Sequence, residues 1–594
     1  MCGIIGVVDK KNKIKTGLKE LNDMQNHRGP DESGFYQNDS VGLQLAMTRL
    51  SIIDIQGAHQ PYISKDGYVV IFNGEIFNVA NLSKDISQSD PSIESSNYEA
   101  ELICILYRKY GEKFLDRLNG MFAIAIYDPK NNSLFIARDR FGIKPLHYLK
   151  SNETFCFSSE ISPLIECLNG KTTLDYQSIE NYFSVGYVPN PSTIYSEIKQ
   201  LPPGNYMTYD LSNAKLRIKR WWVNIPKIDY SLSIDEWYFE VKNQLQKSMK
   251  TWSFSDVPVT YLLSGGLDSS ALVAVAAMNS SSPINTYSLG FQGDGEESWS
   301  ELLIAKDMSK KYGTNHTEII LNSDKLADSL CSISQHLEQP FAGGLPSWAV
   351  FEEISKEHRV AIVGTGGDEI FGNYNRGKKF ISSVFGGSYN NSINSAILTK
   401  GIQEVFFMMN DNQSQEILRN KKKSFELTKK FSNLYYSCQF EEIDDILAQL
   451  SFETQLVDDF LMLTDRFSMA HSVEARTPFL DHDLVKLMFS MPTKYKIDYG
   501  NYKSALKNSI GHLLPKSVLD SKKHGFNVPL SLWMRGRLRD LVEEMIGKKA
   551  LNSSQFIKPE FYDLYVKPML KGDNRYIGMI WQVFMFQFWL KNKY

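Results

Sequence analysis

The sequence predicts a two-part chain: an α+β half of stacked antiparallel sheets, then an α/β half with a parallel sheet and a helical C-terminal part. Three observations predict it. Short apolar runs separated by turn residues fill the first 210 residues, a strand–turn–helix–strand pattern begins at Asp235, and from about 376 the periodicity is mostly helical. At 594 residues the chain is long enough for at least two separately packed cores.

In the first half, apolar runs at 67–72, 120–127, 133–138 and 154–158 read as strands, and 98–110 reads as a helix with Glu99 and Glu101 near its start. Pro202-Pro203-Gly204 and the polar, aromatic stretch to Ser233 mark the boundary, giving domains 1–210 and 235–594. A helix over 236–250 then precedes a buried strand at 257–263, a Gly/Ser turn, a helix at 269–278 and a strand at 284–291. A further strand, 359–364, runs into Thr365-Gly366-Gly367-Asp368-Glu369. The apolar stretch 577–590 contains Gln582 and Gln587 and falls short of the roughly 20 residues a bilayer span needs, so it reads as a packed terminal helix. Residues 380–450 carry no recognisable chemistry.

Hydrophobic residues make up 42% and charged residues 22%, ordinary globular usage, and a net charge of −3 offers no attraction to nucleic acid or anionic lipid. Six cysteines without a CxxC pair argue against a zinc site or a disulfide framework and suit a reducing compartment. The opening MCGIIGVVDKKNK meets charge too soon for a signal peptide, so a cytoplasmic protein is expected.

Two places carry chemistry. If Met1 is removed, Cys2 combines a thiol with a free α-amine that can accept its proton, directly or through a water. Ser264-Gly265-Gly266-Leu267-Asp268-Ser269 sits where a buried strand meets a helix, so backbone N–H groups and the helix N-terminus can approach an anion. It lacks the GK[ST] ending of a P-loop and resembles the pyrophosphate loop of ATP pyrophosphatases; a plain tight turn is the other reading. Asp268 and Asp368 each follow the carboxyl end of a predicted strand, where doubly wound sheets bind ligands, and two such carboxylates suit Mg²⁺. Lys523, in Lys522-Lys523-His524-Gly525-Phe526, can neutralise a departing pyrophosphate or simply be solvated.

The motifs together resemble the glutamine-hydrolysing asparagine synthetase family. Those in the first half are MCGIIG, HRGPDESG (27–34), TRLSIID (48–54), FNGEIFN (72–78), NGMFAIAIYD (119–128) and ARDRFGIKPLHY (137–148). Those in the second are LLSGGLDSS, GGDEIFGNY (366–374), DRFSMAHSVEARTPFLD (465–481) and KKHGFNVP (522–529). The resemblance implies an N-terminal nucleophile hydrolase fold over 1–210 and an ATP pyrophosphatase fold over 235–594. It implies that Cys2 attacks glutamine, with Asn73 and the Gly74 N–H as oxyanion hole. Arg49 would then bind the α-carboxylate, and Glu75 and Asn97 the α-ammonium group. Read without the family, Arg49 is a surface ion pair and Asn73-Gly74 a hairpin turn. The implied ATP contacts are Leu262, Leu289, Val363 and Gly364, with Ser264, Gly265, Gly266, Asp268 and Ser269 around the pyrophosphate. The implied metal is Mg²⁺ on Asp268 and Asp368, and Lys523 is the implied catalytic lysine. Ammonia would pass between the sites through an enclosed passage, and a homodimer is the family's implication for assembly.

This chain departs from the family at two places. Asn97 stands where the family has Asp, which keeps an acceptor for glutamine's ammonium group but loses the charge. Val363-Gly364-Thr365-Gly366 replaces Ser-Gly-Glu-Gly, and threonine cannot serve as a carboxylate base. The expected acceptor is aspartate; another carboxylate, a uronic acid or a peptide, is the alternative. A non-catalytic binder of ATP or glutamine is the third reading.

Overall fold

The computed structural model describes residues 2–89, 98–151, 154–223, 227–292, 300–372, 376–385, 395–419, 426–497, 503–521 and 528–593. Two six-stranded sheets make up the first half. In one, the strands lie in the order Ile198–Gln200, His147–Lys150, Thr154–Ser158, Cys2–Asp9, Leu43–Arg49, Glu32–Asn38. In the other, they run Lys215–Arg220, Asn205–Asp210, Ser133–Arg138, Gly120–Asp128, Val69–Ile76, Tyr62–Ile63. The paired strands are antiparallel, and their inner faces share a core of Ile4, Leu45, Met47, Ile71, Ala123, Ile136 and Phe157. Cys2–Asp9 is buried at every position, and Val69–Ile76 likewise, polar Asn73 and Glu75 included, so neither strand alternates between buried and exposed residues.

The second half holds a five-stranded parallel sheet: Asn315–Leu321, Asn285–Phe291, Val259–Leu262, Val360–Ile362, Glu474–Arg476. The central strand feeds the helix Leu267–Asn279, whose residues 269–276 are buried against the sheet. Among the described residues from Arg376 on, the regular elements are helices except for the strand Glu474–Arg476, and the last is the helix Ile577–Lys593, buried from Met579 to Trp589. Among the described residues no helix is long and apolar enough to cross a membrane.

The strands Ser133–Arg138 and Thr154–Ser158 match their expected bounds, and the others shift by a few residues. One shift matters. The expected run 67–72 is the strand Val69–Ile76, so Asn73-Gly74 lies inside a sheet opposite Ala123 and Phe122, not in a hairpin turn. Gly74 has φ +148°, and a Cβ there would fall 2.0 Å from the Met121 carbonyl oxygen, so only glycine fits.

The halves are packed together. One apolar cluster runs from Ile5 and Tyr182 to Leu289, Phe467 and Phe586; another joins Met121, Phe141 and Ile143 to Trp237, Leu263 and Leu480. Buried ion pairs cross the same boundary. Arg28 reaches Asp465 at 2.9 Å and Arg466 lies 3.6 Å from Glu160, while within their own halves Arg28 pairs with Glu160 at 3.2 Å and Arg466 with Glu338. The Glu338 carboxylate in turn accepts the N–H groups of Ile161 (2.7 Å) and Ser162 (2.6 Å).

Candidate active sites

Cys2 is the first residue of its strand and is 5% exposed. Register places it opposite Arg49, and its backbone nitrogen donates to Asn73 Oδ1 at 3.1 Å, tying the ends of the two sheets together. Asn73 is fully buried, and among the described residues its Nδ2 has no acceptor. A buried amide N–H₂ without a partner is costly unless a ligand supplies one, and the same side chain holds the Cys2 nitrogen through its oxygen. Burial pushes the Cys2 thiol up from its ordinary range, against the pull of the N-terminal charge, the Leu50 backbone hydrogen bond and Arg49. Arg28 Nε donates to the Cys2 carbonyl at 3.2 Å, which fixes the backbone of the reactive residue.

Arg49 is buried, not a surface ion pair. Its Nη1 lies 3.1 Å from Glu32 Oε2, and its Nη2 donates to the Asp54 carbonyl at 2.8 Å. The guanidinium thus holds the 53–55 loop against the strand bearing Cys2's partner. Glu75 lies 3.8 Å from Arg476 Nη2 in a cluster that also contains Glu99 and Glu474. Burial, then Glu99, raises the Glu75 carboxyl well above the usual range, and burial pushes Glu99 up to about 7. Burial would raise Glu474 too, but Arg476, whose Nε is 2.5 Å from Glu474 Oε1, holds it at about 2. Asn97 lies outside the described residues.

At the other site, Ser264 N–H donates to Ser269 Oγ at 3.1 Å and Gly266 N–H to Ser264 Oγ at 3.3 Å, so the serines brace the loop. Gly265 takes φ +86°, and Gly266 caps the helix Leu267–Asn279 without a side-chain hydrogen bond, leaving backbone N–H groups for an anion. Leu262 and Leu289 lie on adjacent strands. Val363 and Gly364 follow the strand Val360–Ile362, and a Cβ on Gly364 would sit 3.4 Å from Asp268 Cβ.

Asp268 and Asp368 converge on one ammonium. Lys503 Nζ is 2.6 Å from Asp368 Oδ1 and is hydrogen-bonded to Asp268 Oδ2. Burial would lower this lysine, but the two carboxylates push it up. Lys503 was not legible in the sequence: it stands in no motif, and its partners are 235 and 135 residues away. Its φ of +56° in a non-glycine residue marks it only once the fold is known. Lys523 lies outside the described residues. Thr365 Oγ1 is 3.4 Å from Thr464 Oγ1, with no carboxylate in its place.

A family model described as Asparagine synthase matches residues 240–591, and one described as Glutamine amidotransferase domain matches residues 1–222. The chain is 29% identical over 629 residues to the glutamine-hydrolyzing asparagine synthetase 1 of Bacillus subtilis (strain 168), covering 99% of this chain and 96% of that one. It is 29% identical over 624 residues to asparagine synthetase 3 of the same organism, covering 96% and 97%. It is 27% identical over 398 residues to asparagine synthetase B of Escherichia coli (strain K12), covering 63% and 65%. Matched in this way along both halves, the chain belongs to the asparagine synthase family as a glutamine-dependent amidotransferase.

Proposed function

We propose that this protein converts a carboxylate to its amide with glutamine and ATP, that aspartate is the acceptor, and that AMP and pyrophosphate are the other products. Residues 1–210 act as glutaminase and 235–594 as synthetase. With Met1 removed, the Cys2 amine takes the thiol proton as sulfur attacks the glutamine carboxamide carbon; ammonia leaves and a thioester remains. A thiol raised by burial needs that base at the moment of attack. Asn73 Nδ2 and the Gly74 N–H receive the oxyanion. Arg49 exchanges Glu32 for glutamine's α-carboxylate, and Glu75 and Asn97 face its ammonium group.

In the second half, the Ser264–Ser269 loop and the following helix N-terminus hold the pyrophosphate, with Leu262, Leu289, Val363 and Gly364 against the nucleoside. The donor set fits Mg²⁺: two hard carboxylates, Asp268 and Asp368, already meet at one cationic point, and phosphate oxygens complete such a site. Bound there, the ion would offset phosphate charge. Lys503 moves between the carboxylates and the phosphates, and Lys523 assists the departing pyrophosphate. The acceptor carboxylate attacks the α-phosphorus, and ammonia then displaces AMP from the acyl-adenylate.

The observation that carries this reading is Asn73, whose oxygen accepts from the Cys2 nitrogen and whose N–H₂ has no acceptor among the described residues. It is tested by incubating the protein with ATP, Mg²⁺, glutamine and a panel of carboxylates including aspartate. Aspartate-dependent pyrophosphate release with matching asparagine is expected. Release that depends on a different acid would replace aspartate, and no acid-dependent release would overturn the ligase reading.

A further inference from the structure

We infer that Asp459 is the catalytic base of amide formation in the synthetase half, taking the place of the carboxylate that Thr365 lacks. The inference rests on the functional reading above. Asp459 lies in a π-helical turn, Leu456–Leu461, that runs directly into the helix Met462–Ala470. Such turns put residues four and five apart on one face, and they recur at functional sites. Here that face carries Asp459, Leu463 and Thr464. Thr464 Oγ1 meets Thr365 Oγ1 at 3.4 Å, while Leu463 fills the space where a Gly344 Cβ would be. A Cβ on Gly343 would lie 3.9 Å from Asp459 Oδ1. Asp459 and Leu463 thus stand against the 343–344 turn and Thr464 against Thr365, in the segment that follows the strand Val360–Ile362.

The carboxylate is held but not consumed. Gln455 Nε2 donates to Oδ2 at 3.1 Å, and among the described residues no hydrogen bond reaches Oδ1. The charged or titratable groups around it are Asp458 on the same turn, Arg376 from the helix Arg376–Phe385 and the Tyr187 phenol. Burial first, with Asp458, pushes Asp459 up to about 7, against Gln455 and Arg376, which suits a base working at neutral pH. The threonine hydroxyl at 365 is too weak a base for that task.

The ammonia lone pair forms a bond to the acyl carbon, leaving a positive nitrogen. One N–H proton passes to an Asp459 oxygen. The tetrahedral adduct collapses, the acyl C–O bond breaks, and AMP leaves with its electron pair. Protonated Asp459 returns the proton to water.

The test uses the full chain with ATP, Mg²⁺, aspartate and ammonium chloride. Asp459→Asn keeps the shape and the Gln455 contact but not the basicity. Expected are first-turnover pyrophosphate release within about threefold of wild type and amide formation reduced about 100-fold or more. Hydroxylamine, whose adduct loses its proton more readily, restores acyl transfer at least tenfold relative to ammonia. Rates per free ammonia rise through a limb near pH 7 in the wild type and in Asp459→Glu, and that limb is missing in Asp459→Asn. Wild-type amide formation with an unchanged pH profile in Asp459→Asn would overturn the inference. So would equal loss of pyrophosphate release and amide formation in a variant that melts like wild type. If wild type releases no pyrophosphate in response to acceptor, the functional reading fails and the inference with it.

Discussion

Asn73 does two jobs with one amide: its oxygen orients the nitrogen of Cys2, and its N–H₂ points at no protein acceptor among the described residues. Asn73→Ala should slow glutamine hydrolysis about 100- to 1000-fold while leaving synthesis from ammonium chloride within twofold, read by comparing the two nitrogen sources. Equal losses with both sources would mean that Asn73 supports the fold rather than the oxyanion. Glu99 tests the buried acidic cluster behind this site. Its folded carboxyl titrates near 7 against an ordinary value of 4.5, so its contribution to stability is full below about pH 4.5 and is lost as pH rises through 7. Glu99→Gln keeps an acceptor for the Ile76 N–H, now 2.7 Å away, and removes the titration. The melting temperature should therefore fall less between pH 5 and pH 8 in the variant than in wild type; parallel profiles would contradict the assignment. Cys2, Asn73 and Asp268 could be singled out as candidates from sequence because each stands in a motif of contiguous residues. Lys503, Arg28, Glu99 and Glu474 were not assigned a role from sequence, because what defines them is a partner on a distant strand or helix.

The helix Met462–Ala470 shows how one element links both sites. Its consecutive residues Thr464, Asp465 and Arg466 reach Thr365, Arg28 and Glu338; Arg28 in turn holds the Cys2 carbonyl, and Glu338 accepts the Ile161 and Ser162 N–H groups at the start of the helix Ser162–Cys167. Asp465→Ala leaves Arg28 fully buried with Glu160 as its remaining carboxylate. Breaking a buried pair in this way costs about 3–5 kcal/mol, so a lower denaturation midpoint is expected, together with slower glutamine hydrolysis because Arg28 also holds the Cys2 carbonyl. An unchanged midpoint would show the strut to be dispensable. Strands with clean apolar runs and flanking turns, such as Ser133–Arg138 and Thr154–Ser158, were legible to the residue. Glu474–Arg476 was not: three residues, two of them charged, carry no strand periodicity, and the ion pair that lets them be buried forms only in the fold.

At the scale of the molecule, the change of grammar near Asp235 was enough to predict antiparallel sheets followed by a parallel one, and the sheets follow that order. How tightly the halves join was not legible, since a shared apolar cluster running from Ile5 to Phe586 leaves no local signature. That packing sets Glu474 and Arg476, on the last strand of the parallel sheet, beside Cys2 and Glu75. The function proposed above requires that nitrogen freed at Cys2 be used at the nucleotide site of the same molecule. Glutamine labelled with heavy nitrogen in its side-chain amide, supplied with ATP, Mg²⁺ and aspartate in excess unlabelled ammonium, tests it most directly. The amide product should carry the label at far above the bulk ratio; a product labelled only to that ratio, or AMP formed with no labelled amide, would contradict the claim.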